Sequence, residues 1–307
     1  RKSDFRSHDL VVVNPGVPRE SEYLVVAKKA TKRIENDTSL FFRYDDHIQI
    51  AVTGTRGKTT TTQFIAELLA KKYPLVRPSG NTPANALLAE FTRIKGKHVP
   101  VVAELSSWQL EYLPSAQKAP HIAVITNLFP DHLNRYRDIS DYADAKANIF
   151  HDQEEGDFLI LNKQNKWTGY FLKKKPKGSI FYTSTAALKG SSNGIYIKND
   201  VLIFRADSTE QRLFSTKRFV QEHGVHNLEN LMAAILAVKL FDPTIVVEEN
   251  DVLRLSFPVM RQEEVYKKGR VKVVNDSCAT SPDGTIAALL RFHKDARIIL
   301  IAGGTDK

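Results

Sequence analysis

Cysteine is nearly absent: Cys278 is the single one in 307 residues. Without a second thiol no intramolecular disulfide can form, so a disulfide-stapled secreted scaffold is excluded and a reducing, cytoplasmic setting is expected. Long apolar runs are missing as well, none approaching the roughly 20 residues of a membrane-spanning helix. The opening Arg1-Lys-Ser-Asp-Phe-Arg6 is charged where a signal peptide would be apolar. There is no repeat of about 20 to 50 residues and no low-complexity segment, which excludes solenoids and propellers.

What is there is ordinary globular material, 42% hydrophobic and 26% charged, and disorder of the whole chain is excluded. The length suggests about two domains. Lys plus Arg outnumber Asp plus Glu by 44 to 35, a net charge of +9, which fits a polyanionic partner: nucleic acid, an anionic surface or a nucleotide. The densest basic run, Lys173-Lys174-Lys175 with Lys177 around Pro176, reads as a solvated loop, and no nucleic-acid-binding motif accompanies it.

Short apolar runs alternate with helical patterns. Leu10 to Val13, Ile48 to Val52, Val99 to Ala103, Ile122 to Thr126 and Phe158 to Leu161 read as buried parallel strands; Thr60 to Lys71, Asn81 to Arg93, Ser140 to Phe150 and Asn227 to Phe241 carry helical spacing. Residues 179–220, with Ile195 to Ile197 and Val201 to Phe204 around Asn199-Asp200, suggest a small antiparallel insertion or edge. Val271 to Asn275 and Arg297 to Ala302 read as further strands. The latter should feed a helix, and none follows before Lys307, so the sequence reads as an internal piece of something longer.

The sharpest feature is the strand Ile48 to Thr53 followed by Gly54, Thr55, Arg56, Gly57, Lys58, Thr59 and Thr60 and then a helix. Glycines let backbone N–H groups face phosphate oxygens, a helix N-terminus favours the anion, Lys58 reaches the β and γ phosphates, and Thr59 can hold Mg²⁺. The usual pattern has a glycine five residues before Gly57, where this chain has Val52, so the loop is a variant beginning at Gly54. A phosphate loop needs a carboxylate for its metal. Glu104 ends the Val99 to Ala103 run at the sheet edge where ligands of open α/β sheets bind, and is a metal candidate, although an exposed strand-end Glu would look the same. Asp131 and His132 lie just beyond the Ile122 to Thr126 run, where a lone His is more often structural.

These pieces together resemble the Mur ligase family of ATP-dependent amide-forming enzymes, closest to its D-glutamate-adding (MurD) type. The resemblance rests on Thr53-Gly-Thr-Arg-Gly-Lys-Thr-Thr60, Gly80-Asn81-Thr82-Pro83, Glu104-Leu-Ser-Ser-Trp-Gln-Leu110, Asp131-His-Leu-Asn-Arg-Tyr136, Lys146 in Ala145-Lys-Ala-Asn148, His226-Asn227 with Asn230, and Asn275-Asp276-Ser-Cys-Ala-Thr280. It implies an α/β fold: a P-loop central domain with a mainly parallel sheet flanked by helices, plus partial N-terminal and C-terminal Rossmann-like domains. Residues 1–45 correspond to the end of a UDP-substrate-binding domain, 46–260 to the ATP-binding central domain, and 261–307 to the start of a closing domain.

The implied reaction is ATP-dependent addition of D-glutamate to UDP-N-acetylmuramoyl-L-alanine through an acyl phosphate, in cytoplasmic peptidoglycan precursor synthesis by a monomer. The resemblance implies Lys58, Glu104, His132 and Lys146 as catalytic residues. Two Mg²⁺ sites are implied, drawing on Thr59, Glu104, His132 and Lys146, the last as a carbamate. Sequence physics alone would leave Lys146 a solvated charge. Asn227, Asn230, Arg261 and Asp276 are implied on the nucleotide, although Asn227 could equally cap its helix. Asn14, Pro15, Gly16, Asn81, Ser106, Thr280 and Lys307 are implied on the substrates, with Asn14 standing where the family has Ser. Cys278 stands where Lys is frequent, which loses a charge beside the amino-acid site; as a thiol it reads as a packed small residue. Two other readings remain at this level: a folylpolyglutamate-synthase-like ligase of the same superfamily, and a nucleotide-binding piece without activity of its own.

Overall fold

The structure is a computed structural model that describes residues 1–30, 32–81, 85–279, 282–292 and 297–303. Its centre is a sheet of nine strands among the described residues. They are numbered in chain order after β1 (Leu10–Val12) and β2 (Arg33–Glu35), which form a separate parallel pair. The central strands are β3 (Gln49–Thr53), β4 (Pro78–Gly80), β5 (Val101–Glu104), β6 (Ile122–Ile125), β7 (Phe158–Asn162), β8 (Ser179–Ser184), β9 (Gly194–Lys198), β10 (Val201–Ala206) and β11 (Thr209–Ser215). Their spatial order is β11-β10-β9-β8-β7-β6-β3-β5-β4.

All pairings from β4 to β9 are parallel, so these strands must be covered on both faces. The residues alternate accordingly. Ile50, Val52, Ile122, Val124 and Ile160 enter one core, against the helices Lys58–Ala70 and Val225–Phe241. Ala51, Ala123, Ile125, Leu159 and Leu161 enter the other, against Asp37–Tyr44, Ser107–Leu110 and Ile139–Ala147. The helix Val225–Phe241 is apolar nearly all round because it is sunk into the first core, with Leu231, Met232, Ala234, Ile235 and Leu236 fully buried.

The 179–220 stretch is the edge of this sheet rather than a separate insertion. β8 and β9 continue the parallel ladder beside β7, and only the β9–β10 and β10–β11 pairings are antiparallel. Asn199 and Asp200, both at positive φ (51° and 59°), form the tight turn between β9 and β10, a conformation these residue types tolerate. Within the expected helix over Asn81 to Arg93, the described residues form the short helices Leu87–Ala89 and Glu90–Arg93, while residues 82–84 lie outside the described residues. Leu87, Phe91 and Ile94, which face the second core, supply apolar spacing over that half alone.

Two further strands, β12 (Glu263–Lys268) and β13 (Val271–Asn275), form a hairpin. Expectation covered only β13, because β12 reads Glu-Glu-Val-Tyr-Lys-Lys and both its faces are largely solvated. The expected strand Arg297 to Ala302 is irregular and exposed. No described strand lies alongside it, and an isolated apolar run has no ladder to join. No helix among the described residues is long and apolar enough to cross a membrane.

Candidate active site

β3, β4, β5 and β6, which lead into the Gly54–Lys58, Asn81, Glu104 and Asp131-His132 candidates, run parallel and end on one edge of the central sheet. β3 runs into the loop Gly54–Gly57, which opens the helix Lys58–Ala70, and its neighbours β5 and β6 deliver Glu104 and the 126–132 segment on either side. This is the switch point of the parallel sheet, where the chain leaves β3 with a neighbour on each side, the position at which open α/β sheets bind their ligands.

The loop is braced from below. Asn127 accepts from the Arg56 N–H through Oδ1 at 2.9 Å and from the Thr55 N–H through its carbonyl at 3.0 Å. The Thr126 hydroxyl donates to the Arg56 carbonyl at 2.6 Å, and the Arg56 guanidinium lies 4.8 Å from the Phe129 ring centre. Gly54 (φ 147°) has no room for a side chain, since a Cβ there would run into the Thr126 hydroxyl. Gly57 (φ 80°) is tighter in a more telling way: its Cβ would collide with the amide of Asn230, from the far helix Val225–Phe241. We therefore expect Gly57→Ala to weaken ATP binding about tenfold or more, from left-handed strain plus that collision. Equilibrium titration with ATP checks it, and unchanged affinity would show that Asn230 does not set the loop.

Two lysines converge on one loop carbonyl. Lys58 Nζ donates to the Gly54 and Thr55 carbonyls, each at 3.1 Å, while Lys146 Nζ donates to the same Gly54 carbonyl at 2.8 Å. Lys146 is 1% exposed, with its ammonium 4.5 Å from the Tyr142 ring centre. It is no solvated charge. Burial, and then the neighbouring Lys58 charge, push the Lys146 amine well below the ordinary lysine value, against the weaker pull of Asp131 and Glu104. Lys58 is lowered too, by burial first, with Glu104 opposing.

Glu104 is 5% exposed, so it is not a solvated strand end. Its carboxylate accepts from Asn81 Nδ2 at 3.1 Å, and its carbonyl accepts from the Asn81 N–H at 2.9 Å. Thr59 and Thr60 lie in the first turn of the helix that follows the loop. His132, in the left-handed region at φ 54°, is half-buried with its ring against Trp108 and Tyr142, centroids 5.5 and 6.0 Å away. Among the described residues no group of three or more His, Cys, Asp and Glu is placed to hold a metal. The donors to a cation here would thus be single carboxylate or imidazole groups combined with hydroxyl, phosphate or water oxygens.

Asn227 does not cap its helix, which starts at Val225 after Gly224; it is buried and donates to the His223 carbonyl at 2.9 Å. Asn230 donates to Asn227 Oδ1 at 3.3 Å, which keeps both amides on the face toward Gly57. Asp276 accepts from the Gln262 N–H at 3.1 Å, and burial raises its carboxyl above the usual range. Arg261, beside it in the chain turn, is close enough for its charge to act on both Lys58 and Asp276. Ser106 caps the helix Ser107–Leu110 in a reciprocal pair with Gln109. Asn14 forms an Asx turn, its Oδ1 accepting from the Gly16 N–H at 2.8 Å across Pro15. Thr82, Pro83, Thr280 and Lys307 fall outside the described residues. Cys278 is half-buried.

Sequence reasoning missed Tyr142, whose ring underlies Lys146 and whose hydroxyl approaches Thr55 Oγ1 at 3.5 Å. Its signal was its place four residues before Lys146 on one helix, hence on the same face.

A family model described as the Mur ligase middle domain matches residues 52–238, more than half of the chain. The chain belongs to the Mur ligase family. Curated relatives share its whole length. A UDP-N-acetylmuramoylalanine--D-glutamate ligase of Roseiflexus sp. (strain RS-1) is 36% identical over 100% of this chain and 66% of its own length. The one of Clostridioides difficile (strain 630) is 35% identical over 99% and 65%. The chain thus spans slightly less than two thirds of the length of each of these relatives. Among solved structures, MurF from Acinetobacter baumannii superposes with a TM-score of 0.61 at 15% identity, covering 96% of this chain and 70% of that one. MurF ligase from Thermotoga maritima in complex with ADP gives 0.57 at 18%, covering 94% and 76%. At such identities these structures establish the shared Mur ligase fold.

Proposed function

We propose that this Mur ligase chain carries the ATP site of a ligase that adds D-glutamate to UDP-N-acetylmuramoyl-L-alanine. The observation that carries the reading is the convergence of Lys58 and Lys146 on the Gly54 carbonyl, with Glu104 and Asp131 as the acidic groups acting on them. Two lysine amines crowded on one loop carbonyl, the second with its proton disfavoured by burial and by the first, suit a site whose counter-charge arrives with a polyanion. The D-glutamate assignment is supported by the names of the curated relatives and by the Glu104-to-Leu110 segment.

ATP lies with its phosphates along the Gly54–Lys58 turn, where the loop N–H groups and the helix N-terminus meet the oxygens. Its adenosine end lies toward Asn227, Asn230, Arg261 and Asp276. The substrate carboxylate attacks the γ phosphorus, the bond to the β-γ bridging oxygen breaks, and ADP leaves; Lys58 follows the charge on the transferring group. The amine of D-glutamate then adds to the acyl phosphate carbonyl, loses its proton, and expels inorganic phosphate to leave the amide. The UDP-linked substrate is oriented by Asn14, Pro15 and Gly16, with Asn81 and Ser106 nearer the chemistry, while Thr280 and Lys307 are assigned to D-glutamate. Mg²⁺, held by Thr59 and Glu104 at one site and by His132 and Lys146 at a second, would neutralise phosphate charge. Lys146 fits that role as a carbamate: burial favours the uncharged form of its amine, which adds to CO₂, forming an N–C bond and releasing a proton, and so becomes an anionic oxygen donor.

The test is phosphate release by the protein at full natural length with ATP, UDP-N-acetylmuramoyl-L-alanine and single amino acids. Turnover with D-glutamate is expected. Turnover only with a folate acceptor, or none with any pair, would overturn the reading.

A further inference from the structure

Glu111 directly follows the Glu104-to-Leu110 segment and has no part in the chemistry above. Its side chain is 4% exposed, yet it gathers three donors from two separate parts of the chain. From the N-terminal part, Arg19 Nε approaches Oε2 at 3.1 Å. From the turn after β6, Arg135 grips both oxygens at 3.0 and 2.8 Å, and the Tyr136 hydroxyl donates to Oε1 at 2.8 Å. Arg135 also donates to the Val17 carbonyl at 3.2 Å, so it reaches the same N-terminal segment by a second route.

The two parts joined here are the two that must be held in register. Arg19 follows the Asn14-Pro15-Gly16 turn by three residues. Arg135 and Tyr136 close the turn of His132: their N–H groups donate to the His132 carbonyl at 2.9 and 3.1 Å. Arg135 lies 4.7 Å from the Trp108 ring centre, and Trp108 packs on the His132 imidazole. The His132 backbone is therefore one contact, and its ring two contacts, from a group that ends on Glu111.

We propose that Glu111 is a positioning residue that fixes the Asn14–Gly16 turn relative to His132, and so sets the span between the nucleotide end and the reacting end of the UDP-linked substrate. Two guanidinium groups brought together at a buried point repel unless the carboxylate between them is charged. Asp141, 3.3 Å from Arg19, shares that arginine but not Arg135, so it cannot replace the link. The activity arm rests on the function proposed above; the exchange arm does not.

In the full-length protein, Glu111→Gln keeps the shape and removes the charge. Amide exchange of residues 13–19 and 131–136 is expected to quicken together, by about tenfold, while residues 53–62 keep their protection. The KM for UDP-N-acetylmuramoyl-L-alanine is expected to rise about tenfold, with the KM for ATP held within about twofold. Arg19→Met, at a more exposed position, is expected to raise the same KM, and the double variant to be no worse than Glu111→Gln alone, because both cut one link. Exchange that quickens in one segment only, both KM values rising together, or multiplying effects in the double variant would each overturn the proposal. Coupled exchange in a protein whose wild type makes no D-glutamate product would instead sink the proposed function and leave the link standing.

Discussion

Lys58→Ala is expected to lower kcat by roughly 10³-fold, about 4 kcal/mol of transition-state stabilisation. The lysine ammonium is already folded onto its own loop, 3.1 Å from the Gly54 and Thr55 carbonyls, so its charge is in place before nucleotide arrives. The group therefore contributes most where charge develops on the transferring phosphoryl, and ground-state binding is shared with the loop N–H donors. The KM for ATP should consequently move far less than kcat. Lys58→Arg should not restore activity, because a planar fork cannot occupy the space between two carbonyls that a compact ammonium fills. Steady-state kinetics with ATP and both substrates reads this directly, and wild-type-like turnover in the alanine variant would contradict the phosphate-loop assignment.

Lys146 gives an opposite pairing of effects. Lys146→Met is expected to lose at least about 10²-fold in activity, the scale of removing one electrostatic stabiliser, while gaining about 1 kcal/mol of stability in bicarbonate-free buffer. The amine is held well below its ordinary value by burial, so the folded state disfavours the proton that the unfolded chain keeps. That cost is fully present below the folded value and fades as pH climbs toward the free lysine value. The stability advantage of the variant should therefore shrink on raising the pH through that window. The Gly54 carbonyl is not orphaned by the change, since Lys58 also donates to it. Denaturant unfolding across pH tests the sign: a variant less stable than wild type would mean Lys146 is a structural donor. A parallel Lys146→Gln variant should regain part of its turnover with added short carboxylates, which supply the oxygens of a carbamate.

The sheet was readable because its strands are apolar on both faces, and that pattern has few other solutions. Ile50-Ala-Val52 and Ile122-Ala-Val-Ile125 announce burial without any partner being known. β12 was not readable, since Glu263, Glu264, Lys267 and Lys268 give it no apolar face, and the ion pair of Glu264 with Lys272 across the hairpin leaves no local pattern in the sequence. The loop residues were legible through glycine and lysine spacing. Burial of Lys146 was not: a lysine in the helix Ile139–Ala147 looks like any surface charge until the fold turns that face toward Gly54. Glu111 was invisible for a related reason, because its partners Arg19 and Arg135 are distant in sequence and no local pattern ties them.

The contact between the phosphate loop and Asn230 has a bearing on when the site comes into being. Thr61, in the helix that leaves the loop, reaches Asn230 at a sequence separation of 169 residues, and Gly57 closes against the same amide. A chain emerging from the ribosome can form β3 and the loop early, but the loop has no wall behind it until the helix Val225–Phe241 has been made and docked. Nascent chains released short of that helix should show no nucleotide affinity. Binding competence then arrives as one late step in synthesis, after the whole central sheet is assembled.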